Sequence, residues 1–441
     1  MNRIFPEYTY GAGPRETCWW DQTCTFPDRG ALLGEYRADV AIIGAGFTGL
    51  SAALHLARNG LRVAVLEANF PGWGASGRNG GFCCLGGGKI DDAALDKKFG
   101  QSERLAYRSA EKAAVALVSD LIDEFNWNVD RHSNGETVLA HKPKHMDSLK
   151  IDAATVEENY GVSPKVIEKE ALGEAGLAGP FFGAVTNPIG FALNPAKYLT
   201  GLSNAAERFG ALIFHNSPVH TLSKAASQWR LASVNGDVLA EQVIVATNGY
   251  SSENLPDWLA GRYMPGQSTV LVTRPLTIDE ISAQGWHSEQ MSYDTRNLLH
   301  YFRLMPDRRF LFGMRGGLLS GSHAEARARR KVRRDFEKMF PAWAGVASHH
   351  SWSGMVSLAR NRLPFVGELP DQPGIWAGMC YHGNGVAMST FSGKLLAELI
   401  LGKTPENYPL AMRRHLTRFP FGRYRRVIMP PVYAGLMVSD L

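Results

Sequence analysis

The sequence predicts an α/β fold in two interleaved parts: a mostly parallel sheet flanked by helices, and a mixed α+β unit inserted into it. Three observations carry that expectation. Near the N-terminus an apolar strand runs straight into a glycine turn and a helix, over residues 38–58. Two more apolar strands, at 242–247 and 374–379, end in glycine and small polar residues. Between those strands lies a stretch, 251–349, whose patterning suggests antiparallel hairpins rather than a continued βαβ series.

The first element sets the frame. Residues 39–43 are small and β-branched, the pattern of a strand buried on both faces. Gly44-Ala45-Gly46-Phe47-Thr48-Gly49 follows at once, and Leu50, Leu54 and Ala57 then mark one face of a helix. Asn59-Gly60 ends that helix, and residues 61–66 form a second strand that delivers Glu67 and Ala68. Each part has a physical task. Gly44 makes the tight turn, Gly46 admits a pyrophosphate to the backbone, and Gly49 lets the helix pack closely on the strand. The helix N-terminus offers free N–H groups to phosphate oxygens. Glu67 follows at about the 20-residue spacing at which a carboxylate meets a ribose hydroxyl. A glycine triplet alone is weak, but strand, triplet, helix, strand and acid in register predict a Rossmann-like dinucleotide site.

Gly72-Trp73-Gly74-Ala75-Ser76-Gly77-Arg78-Asn79-Gly80-Gly81 is too glycine-rich for a helix and too long for a simple turn. Such a loop can press its amides against an anion or a ring system; the alternative is a flexible surface loop. The string resembles that of the D-amino-acid-oxidase-like (DAO) family of FAD-dependent oxidoreductases, most closely the γ-glutamylputrescine oxidase branch. The resemblance implies a fold of the glycine oxidase and sarcosine oxidase type, with FAD as cofactor. It further implies that Gly74, Ala75, Ser76, Arg78, Asn79, Gly80 and Gly81 lie against that cofactor.

Downstream, 93–125 reads as helix, 135–140 as a strand, and 143–160, 164–172 and 195–209 as helices. Short strands at 211–214, 219–222, 228–233 and 238–239 lead to Gln242-Val243-Ile244-Val245-Ala246-Thr247-Asn248. Ligands bind outside the carboxyl ends of such strands, which nominates Ala246, Thr247 and Asn248. By resemblance, Val219 is the position whose backbone meets the adenine. Strands at 298–304 and 310–313 form a hairpin around Pro306–Arg309. Here Tyr301 and Arg303 alternate with His300 and Phe302, and the family's Tyr-Tyr-Arg-Leu string points Tyr301 and Arg303 at the substrate. Plain sheet surface is the alternative for both. Near the end, His382-Gly383-Asn384-Gly385-Val386 opens a helix running to 401. In the family this helix start faces the flavin, so Gly383, Asn384, Gly385 and Val386 join the cofactor set. His382 is either a base beside the flavin or a hydrogen-bonded structural histidine.

The expected division is 36–92, 192–250 and 350–405 for the FAD-binding domain, and 93–191 and 251–349 for the substrate domain. An N-terminal arm (1–35) and a C-terminal arm (406–441) complete the chain. At 441 residues with 45% hydrophobic and 20% charged content, the composition is that of a globular protein with ample core. No stretch reads as a spanning helix, and the first residues carry no apolar signal segment. Five cysteines do not make a disulfide framework, so a cytoplasmic location is expected. Much of the formal charge of +5 lies in clusters at 327–334 and 413–426. No nucleic-acid module accompanies them; a solvated helix face and a strapped arm are favoured over an anionic partner, and weak membrane-surface association stays open. No metal spacing occurs.

Three departures from the family sharpen the expectation. Sarcosine-oxidase-type members carry a carboxylate-binding lysine where this chain has Ala387. The lysine that promotes reaction with oxygen is missing from Phe310, Leu311 and Phe312, so the acceptor is either oxygen or a respiratory carrier. Ser353, Gly354 and Met355 offer no tethering thiol, which implies non-covalent FAD. Cys83, Cys84 and Cys380 are expected as small core groups. The implied activity is oxidation of an amine C–N bond: hydride passes to FAD and the imine hydrolyses to aldehyde and amine. The expected substrate is γ-glutamylputrescine-like or otherwise polyamine-derived, which suggests polyamine catabolism. An oxidase or dehydrogenase of a cyclic, N-methyl or D-amino acid is the alternative, with Arg303 or Arg315 on the carboxylate. A non-catalytic FAD-binding subunit is the reading from another class.

Overall fold

The computed structural model describes residues 2–317 and 319–440, so Met1, Leu318 and Leu441, expected in the N-terminal arm, the substrate domain and the C-terminal arm, lie outside the described residues. Two eight-stranded sheets organise the rest. The first runs Phe365–Glu368, Ile375–Met379, Gly236–Val245, Gly34–Ile43, Val63–Leu66, Leu212–Phe214. Its inner pairings are parallel, and only the Phe365–Glu368 edge turns antiparallel. Thr221–Ala225 and Gln228–Ala232 fold back as an antiparallel ribbon on Gly236–Val245. Val40, Ile42, Val63, Val65 and Ile244 are buried against one layer, and Ala41, Ala64, Val243 and Val245 against the other. Such two-sided burial is why these strands read as continuous apolar runs.

Helices Phe47–Arg58, Pro195–Arg208 and Val386–Ile400 cover one face of that sheet. Helix Gln101–Glu124 joins them: Tyr107, Ala110, Ala114, Val118 and Leu121 share a core with Leu50, Leu54 and Leu395. This corrects its expected assignment to the substrate unit. An amphipathic stripe states that a helix will bury one face, not which neighbour will cover it.

The second sheet runs His350–Leu358, Met264–Val272, Phe310–Arg315, His300–Leu304, Met291–Asp294, Glu136–Leu139, Gly183–Asn187, Lys165–Glu168. Its neighbours are antiparallel except for Met291–Asp294 beside Glu136–Leu139. Alternation along the strands gives it two different faces. Phe302, Phe310 and Phe312 pack with Trp286, Phe336, Phe340 and Trp343 beneath helix Ser322–Met339. The opposite face looks at the first sheet's ligand edge.

Other local expectations are revised here. His350–Leu358, expected in the first unit, is an edge strand of the second sheet. Residues 164–172 do not form one helix: Lys165–Glu168 is a strand and Lys169–Ala171 a single 3-10 turn. The Lys and Glu content suggested a helix, but Val166 and Ile167 find ladder partners in Val185 and Ala184. Strand Met291–Asp294 and helix Met429–Asp440 were not anticipated. The C-terminal arm is strapped down by Arg425, which is fully buried, pairs with Glu253 at 2.7 Å and donates to the Tyr263 carbonyl. In the basic helix, Arg329 pairs with Glu325 one turn back, and Lys331 and Arg333 pair with Asp335 and Glu337 one turn on. Among the described residues no helix is long and apolar enough to cross a membrane, and no cluster of metal-ligating side chains occurs.

Candidate active site

A cavity of about 310 Å3 runs from the carboxyl ends of the first sheet's strands to the inner face of the second. Its first end is made largely of backbone. Gly44 turns with φ +103°, and a side chain at Gly49 would place its Cβ 2.0 Å from the Gly44 carbonyl oxygen. The helix that follows begins at Gly46 without a capping side chain of its own. Glu67 ends the neighbouring strand, where its carboxylate accepts from the Ala45 N–H at 2.8 Å and the Asn69 N–H at 3.1 Å. Burial raises its pKa. Gly44, Gly46, Phe47, Thr48, Glu67, Ala68 and Val219 line this end.

The glycine loop 72–81 crosses the middle of the cavity and is braced from outside its own segment. Arg15 of the N-terminal arm donates to the carbonyls of Gly72 and Trp73 at 2.8 and 2.9 Å. Trp20 donates its indole N–H to the Asn79 carbonyl, and Trp352 to that of Arg78, both at 2.8 Å. Asn79 is used within the loop, donating to the Ser76 carbonyl and accepting from the Gly81 N–H. The Ser76 hydroxyl accepts from the Phe47 N–H at 3.0 Å, at the helix start. Arg78 is 1% exposed, donates to the carbonyls of Trp73 and Ser353, and leaves Nη2 without a partner. Burial lowers its pKa.

These features meet the demands of FAD. A helix N-terminus whose own cap residue is a glycine, a carboxylate at the strand end and a buried guanidinium with an orphan donor suit a pyrophosphate, a ribose and a flavin ring. Gly74, Ala75, Ser76, Arg78, Asn79, Gly80, Ala246, Thr247, Asn248, Gly383, Asn384, Gly385 and Val386 also line the cavity. Ala45, Gly49 and Gly81 do not. Ala45 holds Glu67, Gly49 is a packing contact, and Gly81, at φ +74°, would meet the Leu193 carbonyl with any Cβ. They shape the cradle from behind.

Tyr301 lines the far end. Its hydroxyl sits 2.9 Å from Ser268 Oγ, and its ring lies flat on Gly313, where a Cβ would come within 2.1 Å of the ring. Arg303 is elsewhere. Two residues on, at about 3.3 Å of rise each, the strand has passed the cavity. There Arg303 donates to the Leu193 carbonyl at 2.8 Å and to His132 Nε2 at 2.9 Å, bordering a separate hollow with Trp20 and Lys197. Its expected role at the substrate is withdrawn. His382 does line the cavity, but both ring nitrogens are engaged: Nε2 accepts from the Ala359 N–H at 3.0 Å, which leaves Nδ1 to donate to the Gly87 carbonyl. Burial takes its pKa down to about 4. It is a neutral strut, not a base.

Lys89, Glu136, Tyr293 and Ser268 also line the far end and were not foreseen; Arg315, weighed as a carboxylate partner, is there too. Strand register could have found part of this set. Tyr293 pairs with Tyr301, Tyr301 with Gly313, and Ser268 with Arg315, so one face of the sheet collects them. Lys89 follows the glycine loop in a segment without regular structure and gave no signal.

A parallel sheet that cradles a dinucleotide, roofed by a second sheet with a polar inner face, defines a flavoprotein oxidoreductase. The profile of the FAD dependent oxidoreductase (DAO) family matches residues 39–399, and the chain belongs to that family. It is 30% identical over 392 residues to the gamma-glutamylputrescine oxidoreductase of Escherichia coli (strain K12), covering 88% of this chain and 89% of that one. It is 29% identical over 414 residues to the probable oxidoreductase OrdL of Haemophilus influenzae, covering 92% and 89%. Among solved structures, the glycine oxidase of Geobacillus kaustophilus matches with a TM-score of 0.70 at 21% identity, over 87% of this chain and 100% of that one. The chain is thus an FAD-dependent oxidoreductase of amines or amino acids.

Proposed function

We propose that the chain oxidises the C–N bond of a polyamine-derived amine of the γ-glutamylputrescine kind, yielding an imine that water hydrolyses to aldehyde and free amine. The observation that carries this is the distribution of charge. Lys89 and Arg315 contribute positive charge at the sheet end of the cavity, while Ala387, buried at the start of the final helix, contributes none. That arrangement suits a substrate whose charged group is remote from the reacting carbon. The chemistry supplied by bound FAD is acceptance of a hydride equivalent from the carbon bearing nitrogen. The chain's residues orient that carbon and keep the amine unprotonated. Tyr301, Tyr293 and Phe82 form an aromatic wall that disfavours the alkylammonium, whose ordinary pKa is about 10.4. Tyr301 is fixed by Ser268 and by the edge of Phe82, with ring centroids 5.7 Å apart. The FAD fits as a non-covalent guest, and the five free cysteines suit the reducing cytoplasm.

Anaerobic titration of the holoenzyme with γ-glutamylputrescine, putrescine, glycine, sarcosine, pipecolate and D-alanine tests this reading. Flavin bleaching by γ-glutamylputrescine at the lowest concentration is expected. Bleaching by sarcosine or pipecolate but not by γ-glutamylputrescine would overturn it in favour of an amino acid substrate, and no bleaching at all would favour a non-catalytic subunit. Oxygen readmission identifies the acceptor: rapid recolouring means an oxidase, and recolouring only with a quinone means a dehydrogenase.

A further inference from the structure

The sheet end of the cavity carries charge that C–N oxidation does not use. Glu136 pairs in register with Met291, two residues before Tyr293, and so shares the face that carries Tyr293, Tyr301 and Arg315. Lys89 comes from the segment after the glycine loop, with its backbone N–H fixed on the Arg362 carbonyl at 2.8 Å. All three line the cavity. Lys89 is exposed, and it lines the cavity. Arg315 is aimed by a 2.8 Å hydrogen bond from Nη2 to Asn384 Oδ1, and Asn384 is held in turn by the Leu85 carbonyl at 3.0 Å. Glu136 is hydrogen-bonded to the Cys84 thiol. Among the described residues, none of the three has an ion-pair partner within 4.0 Å.

Two cations and one anion line one cavity wall without a direct ion pair among them, which leaves both signs available to a ligand. An inorganic anion or a simple diamine would answer one sign and leave the other. An α-amino carboxylate answers both. We propose that Lys89, Glu136 and Arg315 form a clamp for the amino acid head of the substrate, with its carboxylate between Lys89 and Arg315 and its ammonium on Glu136. The clamp rests on the reading of the substrate as a γ-glutamylputrescine-like amine and adds which residues hold and select its amino acid head. The charges agree with it. Repulsion by Arg315, with burial, brings Lys89 down to about 7, and burial raises Glu136 to about 7. A carboxylate between the cations and an ammonium beside Glu136 relieve both strains.

The test uses holoenzyme and γ-glutamyl-n-butylamide, which has the head but no reacting nitrogen, so binding is read without turnover. Two truncated analogues accompany it: glutaric acid mono-n-butylamide, which lacks the amino group, and 4-aminobutanoyl-n-butylamide, which lacks the carboxylate. Calorimetry on the unaltered protein is expected to show the full head binding at least tenfold tighter than either analogue. Glu136→Gln should erase the preference for the amino group and spare that for the carboxylate. Lys89→Met and Arg315→Met should do the reverse. Flavin content and spectrum report whether each variant is folded, and Glu136→Gln with Lys89→Met decides the matter if Arg315→Met loses its flavin. Equal affinity for all three compounds, or variants that weaken all three alike, would overturn the clamp. Turnover of γ-glutamylputrescine without head selectivity overturns the clamp and leaves the proposed activity standing. A selective clamp without turnover overturns the activity alone.

Discussion

The two ends of the cavity are built from different material. At the dinucleotide end, turns and amides from one local segment do the holding: Gly44, Gly46 and the start of helix Phe47–Arg58. At the sheet end, side chains do it, and Glu136, Tyr293, Tyr301 and Arg315 come from four strands spread over much of the chain. A backbone cradle recognises what all its ligands share, a pyrophosphate, and tolerates almost no added atom. A side-chain wall recognises what distinguishes one substrate from another and can be altered a group at a time. Damage to the first end should remove the flavin, and damage to the second should change only what the flavin meets.

The sharpest way to break that contrast is Gly49→Val. Its Cβ would meet the Gly44 carbonyl oxygen at 2.0 Å, so the helix must leave the strand. Colourless protein is expected, at a cost above about 4 kcal/mol in thermal or urea unfolding. Arg78→Met is next. It removes a donor from the Trp73 and Ser353 carbonyls, the first of which keeps Arg15, and it removes the buried cation, so FAD affinity should fall by about 2 kcal/mol, roughly 30-fold. Tyr301→Phe belongs to the other end. It removes the contact with Ser268 at about 1 kcal/mol, so kcat/KM should fall severalfold at full flavin content.

His382→Asn tests whether a residue between the two ends is strut or base. The loss of its bonds to Ala359 and Gly87 should lower unfolding stability by about 1 to 2 kcal/mol, while the midpoints of the kcat/KM pH profile stay in place. The smallest effect lies behind the wall. Burial opposes charge on His300, but hydrogen bonds to Asp294 and Asp335 outweigh it and leave its pKa raised. Asp294 is lowered despite burial, and Asp335 goes to about 2. The histidine's contribution is complete below about 6.5 and fades as pH rises through its elevated value. That of the carboxylates is present above about 3.9 and lost as pH falls through their depressed values. Melting temperature against pH should therefore decline on both sides of this window, and His300→Gln should flatten the alkaline limb by about 1 kcal/mol.

The same division governs what could be read in advance. Strand, glycine turn, helix and Glu67 were legible because each task is performed by backbone geometry or by residues near in sequence. The Tyr301 hairpin was legible by alternation. Arg303 misled because alternation gives the face and not the distance along the strand at which the cavity ends. His382 stayed open between base and strut because its sequence position says nothing of Ala359 and Gly87, which occupy its nitrogens.

By itself, then, the sequence determined the dinucleotide cradle and the two-part α/β plan, consequences of short-range periodicity and of where a Cβ is absent, while FAD as the cofactor followed from the family resemblance of the glycine loop. Only the tertiary structure decided which charged groups line the cavity. Lys89, Glu136 and Arg315 lie far apart along the chain, and electrostatic interaction depends on distance through space, which sheet register and loop path set together.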